Sequence, residues 1–221
     1  MTVPFKAVVF DLDGTLLDTL DDLAEATNAA LRALGFAEHP RESYKIFVGD
    51  GVEALIRRVV PEGSQNAATL DRSAALMRAE YGRRWDHKTR PYEGVPELLR
   101  ALAARRIAAA VLSNKPEQFV RLCVERLLPQ ASFAVVLGAS PAWARKPDPA
   151  GAREIARRLA LPPAEMLYLG DTNTDMQTAV AAGMFPAGAL WGFRTAEELL
   201  ANGARVLVEK PLDLLTFFPE S

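Results

Sequence analysis

The sequence predicts an α/β fold: a doubly wound parallel sheet, interrupted after its first strand by an all-helical insertion. Three observations carry that prediction. A short apolar run at residues 6–10 ends abruptly in polar residues. From there to about His87 every periodic segment has helical spacing. Beyond Pro91, short β-branched runs alternate with helical ones. Strands spaced by helices imply βαβ crossovers and hence a parallel sheet.

The elements follow in order. Residues 6–10, Lys-Ala-Val-Val-Phe, read as a buried strand, and the turn after it is Asp11-Leu12-Asp13-Gly14-Thr15. Within 19–34, Leu20, Leu23, Ala24, Thr27, Ala30, Leu31 and Leu34 recur at close to helical spacing. Thr19 can cap this helix, Asp21 and Asp22 suit its first turn, and Gly35 can close it. Val52, Leu55, Ile56, Val59 and Val60 share one face of a further helix, with Glu53 and Arg57 at pairing distance on the other. Residues 67–85 give another helical pattern around Leu70, Ala74, Leu76, Met77 and Tyr81. Gly94 and Pro96 mark the turn back into the core. Strands are then expected at 107–112, 133–137, 166–169, 187–190 and 205–208. Helices at 95–104, 116–128, 149–159, 174–182 and 195–201 separate them. The expected domains are a discontinuous α/β core, 1–17 with 88–221, and a helical insertion at 18–87. There is no internal repeat and no low-complexity linker.

A chain of 221 residues, 49% hydrophobic and 24% charged, suits one good core plus a smaller module. Its net charge is -2, and basic pairs such as Arg57-Arg58, Arg83-Arg84, Arg105-Arg106 and Arg157-Arg158 are dispersed among acidic residues. Nucleic-acid binding needs a concentrated basic stripe, so none is expected. No apolar run approaches the roughly 20 residues that span a bilayer. The apolar strand is entered by Phe5, leaving no room for a signal peptide, so a cytoplasmic protein is the expectation. Cys123 is the single cysteine, which excludes an intrachain disulfide and a cysteine-rich metal site; a buried, inert thiol is expected. With only His39 and His87, a histidine-rich zinc site is not expected.

The strand ends carry the chemistry. In an open α/β sheet, ligands gather outside the carboxyl ends of the strands. There stand Asp11 and Asp13, then Ser113 and Asn114, then Lys146 beyond the 133–137 strand, then Asp171 with Asp175 four residues later. Crowded carboxylates repel one another and resist burial. A hard divalent cation removes both problems, and magnesium prefers oxygen ligands. Lys146, Ser113 and backbone amides suit a phosphate. An aspartate beside the metal can attack phosphorus and form an acyl phosphate, splitting one hard displacement into two. Asp13, two positions on, could serve as acid in the first step and base in the second.

Asp11-Leu-Asp-Gly-Thr15, Ser113, Lys146-Pro147 and Gly170-Asp171-Thr-Asn-Thr-Asp175 resemble, in order, the four motifs of the haloacid dehalogenase superfamily. The resemblance covers essentially the whole chain. It implies a Rossmann-like core, a helical cap and Mg2+ as cofactor. Asp11 is then nucleophile and metal ligand, and Asp13 is acid/base while lending its backbone carbonyl to the metal. Gly14, Thr15, Ser113, Asn114 and Lys146 bind phosphate or substrate, and Lys146 also restrains Asp11. Asp171 ligates the metal, and Asp175 orients Lys146 or a metal-bound water. Relatives that cleave carbon–halogen bonds or phosphonates lack a carboxylate at position 13, so the resemblance disfavours both. The insertion resembles the small helical cap that closes over such sites and excludes water.

Residues 45–58 are similar to the cap segment of bacterial phosphoglycolate phosphatases, which implies 2-phosphoglycolate as substrate and Lys45, Gly49, Asp50 and Gly51 as specificity residues. A helix start at Gly49-Asp50-Gly51 can bind a small carboxylate. Equally, Asp50 and Glu53 resemble a capping box that would occupy the same amides. Asp18 fits helix-start or hinge chemistry, Asp175 also suits a helix's first turn, and Trp85, Trp143 and Trp191 fit core or rim packing. A phosphosugar phosphatase or mutase of the β-phosphoglucomutase type shares these motifs, as does a pyrophosphatase. A non-catalytic regulatory module would retain the fold without turnover. The expected partner is a small phosphate ester, with no nucleic acid and no membrane; monomer and homodimer are both open.

Overall fold

Val8, Val9 and Phe10 have no exposed surface, because the first apolar run forms the middle of a sheet covered on both faces. In the computed structural model, which describes residues 5–218, the chain begins with β1 (Ala7–Phe10) and β2 (Leu17–Asp18). The helices α1 (Leu20–Ala33), α2 (Tyr44–Phe47), α3 (Val52–Val59) and α4 (Ala67–Arg84) follow, then β3 (Arg90–Pro91) and α5 (Val95–Ala104). The alternation runs on through β4 (Ala108–Pro116), α6 (Glu117–Leu127), β5 (Phe133–Ala139) and α7 (Ala150–Leu159). It closes with β6 (Met166–Gly170), α8 (Asn173–Ala182), β7 (Phe185–Ala189), α9 (Ala196–Ala201) and β8 (Val206–Val208).

Six strands form one sheet in the order β5-β4-β1-β6-β7-β8. Every pairing is parallel; Val8, for example, sits opposite Ala109 on one side and Leu167 on the other. The chain steps outward from β1 through β4 to β5, then returns to β6 on the opposite flank. That reversal beside β1 opens a crevice at the carboxyl ends of β1, β4 and β6. One face of the sheet packs Ala7, Val9, Ala110, Leu112, Met166 and Tyr168 against Ala152, Ile155 and Ala179 of α7 and α8. Side chains alternate along a strand, so Val8 and Phe10 point to the other face, and α5 and α6 are packed against β4. The sheet is thus the expected doubly wound one, with helices on both sides.

Two strands differ from expectation in informative ways. β4 continues to Pro116, with a register shift against β5 between Leu112 and Pro116. Gly138 permits the close approach there: a Cβ would lie 2.4 Å from the Glu117 Cα. β7 is a full inner strand although Pro186 and Gly188 dilute its apolar pattern; a Cβ on Gly188 would press on Leu199 and Leu207 at 3.0 Å.

Contacts divide the chain into residues up to Leu17 with those from Pro91, and a second unit, Asp18–Arg90. The two passages between the units, β2 and β3, pair with each other. Within the second unit α1 packs on α4. The helical unit runs to Arg90, and Asp22 holds its last residues. Its fully buried carboxylate accepts the Lys88 amide at 3.0 Å, the Thr89 amide at 2.8 Å and the Thr89 hydroxyl at 2.7 Å, tying that segment to α1. Thr19 does not cap α1; its hydroxyl is buried without a hydrogen bond, and Asp18 Oδ1 accepts the Leu20 amide instead, at 3.3 Å. Glu53 pairs with Arg78. Cys123 is buried in α6. No helix among the described residues is long and apolar enough to cross a membrane.

Candidate active site

Asp11 leaves the end of β1, Asp171 leaves β6, Asp175 lies in the first turn of α8, and Lys146 sits in the loop between β5 and α7. The fold brings these four together. Carboxylate oxygens of Asp11, Asp171 and Asp175 lie within 4.8 Å of one another. Lys146 Nζ is 2.8 Å from Asp11 Oδ1 and 2.6 Å from Asp175 Oδ1. The contact with Asp11 is an ion pair outside hydrogen-bond geometry, so Asp11 Oδ1 is buried with no hydrogen bond of its own.

Each group is held from behind. Asp175 closes a capping box with Thr172, accepting its amide at 3.0 Å and its hydroxyl at 2.7 Å through Oδ2. Its other oxygen takes Lys146 and, at 3.3 Å, the buried Tyr168 hydroxyl. Both expected readings of Asp175 therefore coexist: it caps a helix and restrains the lysine. Asp171 accepts the Thr15 hydroxyl on Oδ1 at 2.7 Å and the Phe193 amide on Oδ2 at 2.8 Å. Trp191 Nε1 in turn donates to the Thr15 carbonyl at 2.9 Å. Two glycines make room for that carboxylate: a Cβ on Gly14 would lie 2.3 Å from Asp171 Oδ2, and one on Gly192 2.2 Å from Asp171 Cβ.

Burial, and then the charge of Asp175, push the Asp11 carboxyl well above the usual carboxylate range, with Lys146 opposing. The same two causes bring Asp171 up to about 7, against the pull of the Phe193 amide and the Thr15 hydroxyl. Burial alone would lower Lys146, but Asp11 and Asp175 more than reverse it, so the ammonium persists. Fully ionised, three carboxylates facing one ammonium would leave two surplus negative charges, which, added to burial, is what raises Asp11 and Asp171. The orphaned Asp11 oxygen, the mutual repulsion and the all-oxygen donor set fit a hard divalent cation. Asp171 and Asp175 each have both oxygens engaged, which leaves Asp11 as the most open donor of the three.

The other expected site residues have these partners. The Gly14 amide donates to the Leu17 carbonyl at 2.9 Å, and the Thr15 hydroxyl donates to Asp171 at 2.7 Å. The Asn114 side chain brackets the Lys146 backbone, donating to its carbonyl at 3.1 Å and accepting its amide at 2.9 Å, which makes it a support for the lysine. Ser113 is buried within β4, where its hydroxyl accepts the Lys115 amide at 3.2 Å. Asp13 meets Lys115, whose Nζ lies 2.8 Å and 3.1 Å from its two oxygens. In the helical unit Lys45 pairs with Glu42 at 2.9 Å and Asp50 pairs with Arg58. The residue before α3 is Gly51, without a side-chain cap, so the capping box of Asp50 and Glu53 does not form. Lys115, Tyr168 and the 191–193 loop were not anticipated. The rule that strand ends carry ligands would have reached the loop, since it follows β7.

Residues 8–189 match the family model described as haloacid dehalogenase-like hydrolase. The phosphoglycolate phosphatase of Nitrosospira multiformis is 34% identical over 200 residues, covering 89% of this chain and 88% of that protein. The phosphoglycolate phosphatase of Salmonella typhi is 31% identical, covering 95% and 91%. Among solved structures, a predicted phosphoglycolate phosphatase from Haemophilus somnus superposes with a TM-score of 0.91 at 25% identity, covering 99% of this chain and 100% of that one.

Proposed function

The chain belongs to the haloacid dehalogenase-like hydrolase family and is a hydrolase of phosphoric monoesters, and from that premise we propose that it converts 2-phosphoglycolate to glycolate and phosphate, using magnesium and a phosphoaspartyl intermediate on Asp11. The observation that carries this reading is the ring of Asp11, Asp171, Asp175 and Lys146 at the carboxyl edge of β1.

The Asp11 carboxylate attacks phosphorus; its bond to phosphorus forms as the bond to the glycolate oxygen breaks. Asp13 hands that oxygen a proton. In the second step Asp13 takes a proton from water, the water oxygen bonds phosphorus, and the acyl phosphate opens to restore Asp11. Ser113 and Lys146 hold the phosphoryl oxygens, and Asp175 and Asn114 keep Lys146 on station. Asp11, Asp171 and the Asp13 backbone carbonyl would hold the magnesium ion, which supplies positive charge against the phosphoryl oxygens.

The substrate assignment is supported by the names of the relatives and by the 45–58 segment. The test is phosphate release from a panel of small esters. The highest kcat/KM is expected for 2-phosphoglycolate. Preference for pyrophosphate, or isomerisation of a sugar phosphate without phosphate release, would overturn the assignment.

A further inference from the structure

The lysine that follows the Ser113-Asn114 pair has no part in the scheme so far. Its side chain is only 3% exposed, and Nζ lies 2.8 Å and 3.1 Å from the two oxygens of Asp13, whose own side chain is 13% exposed. A long ammonium side chain ordinarily reaches for water. Burying it costs several kcal/mol unless a partner of opposite charge compensates, so the pair is a fixed feature of the fold.

The backbone that carries it is fixed too. Lys115 donates its amide to Ser113 Oγ. Its carbonyl packs so closely on β5 that a Cβ at Gly138 would come within 2.9 Å of it. β4 and β1 are hydrogen-bonded neighbours, so the lysine and the aspartate ride on adjacent strand ends.

We propose that Lys115 is the positioning residue for Asp13, holding its carboxylate in the orientation from which it serves the leaving-group oxygen. The inference rests on the two-step reading above. An aspartate carboxylate rotates in a broad torsional well, and Asp13 stands in a turn. A contact that reaches both oxygens sets the plane of the group, which a single hydrogen bond does not. Each oxygen keeps a further lone pair, so the contact leaves Asp13 able to exchange a proton.

The test separates orientation of the acid from general damage. For an alkyl ester such as 2-phosphoglycolate the departing oxygen needs a proton. The phenolate of para-nitrophenyl phosphate leaves without one. kcat/KM is measured for both substrates in the magnesium-loaded enzyme and in Lys115→Met, Lys115→Gln, Lys115→Arg and Asp13→Asn. The expected result is a loss of about 100-fold or more on the alkyl ester for Lys115→Met and Lys115→Gln, with the aryl ester within about 5-fold of wild type. Lys115→Arg should recover most of the alkyl activity, and magnesium affinity by calorimetry should stay within about 2-fold in all three. Losses on both esters alike, or on neither, would overturn the role of Lys115, provided Asp13→Asn shows the selective loss. If Asp13→Asn itself shows no selectivity, the two-step reading fails instead. Should Lys115→Met not fold, Lys115→Gln and Lys115→Arg make the same comparison.

Discussion

Replacing Asp171 by Asn should stabilise the metal-free protein above neutral pH while abolishing its response to magnesium. The Asp171 carboxyl is pushed from 3.8 up to about 7, chiefly by burial and next by the charge of Asp175. The folded state therefore holds the Asp171 proton more tightly than the unfolded state does. Below pH 3.8 both states are protonated and nothing is lost. As pH rises from there to about 7 the unfolded state releases this proton while the fold keeps it, so stability falls steadily, and above about 7 the full cost, about 4 kcal/mol, is present. Asn carries no charge. It can still accept the Phe193 amide, and the Thr15 hydroxyl can reverse to accept from its amide group. The loss of charge-assisted strength in those bonds offsets about 1–2 kcal/mol. The net gain is about 2–3 kcal/mol, or about 4–12 °C in Tm for a chain of this size. The assay is thermal unfolding in EDTA at about pH 8 and about pH 5; at the lower pH less than half of the cost has built up. Magnesium should raise Tm for the wild type and not for the variant. A variant less stable than wild type at pH 8, or shifted equally at both pH values, would refute the reasoning.

Three further outcomes are expected. EDTA should stop turnover, and magnesium should restore it while calcium binds without supporting it; activity that persists in EDTA would remove the metal from the mechanism. Asp22→Ala strips the buried acceptor from the Lys88 and Thr89 amides and the Thr89 hydroxyl, and urea unfolding should show a loss of about 2–4 kcal/mol. Gly192→Ala drives a methyl group into Asp171, where the gap is 2.2 Å, and should weaken magnesium binding by about 10-fold or more in calorimetry.

Most of the site was legible because of one geometric fact: in a parallel sheet the carboxyl ends of the strands share an edge. Asp11, Lys146 and Asp171 could therefore be grouped before any distance was known, although 135 residues of sequence separate Asp11 from Lys146. What stayed hidden depended on partners rather than on residue type. A lysine at a strand end reads as a solvated group until Asp13, 102 residues away, is seen beside it. The Phe193 contact uses a backbone amide, which every residue but proline has, so it leaves no mark in the sequence. Gly14, Thr15 and Asn114 match a motif, yet the motif does not name their neighbours in the fold, which are Leu17, Asp171 and Lys146. In the fold, β7 was the obscure strand, since Pro186 and Gly188 interrupt its apolar pattern and its burial between β6 and β8 supplies what propensity does not.

The covalent intermediate on Asp11 is tested most directly by stereochemistry. A substrate made chiral at phosphorus with oxygen isotopes is turned over, and the configuration of the phosphoryl group is followed to an acceptor alcohol or to labelled phosphate. Two in-line displacements, one by Asp11 and one by water or alcohol, give net retention, which is the result predicted. Net inversion would mean that water attacks phosphorus directly, and Asp11 would then have no place as the nucleophile.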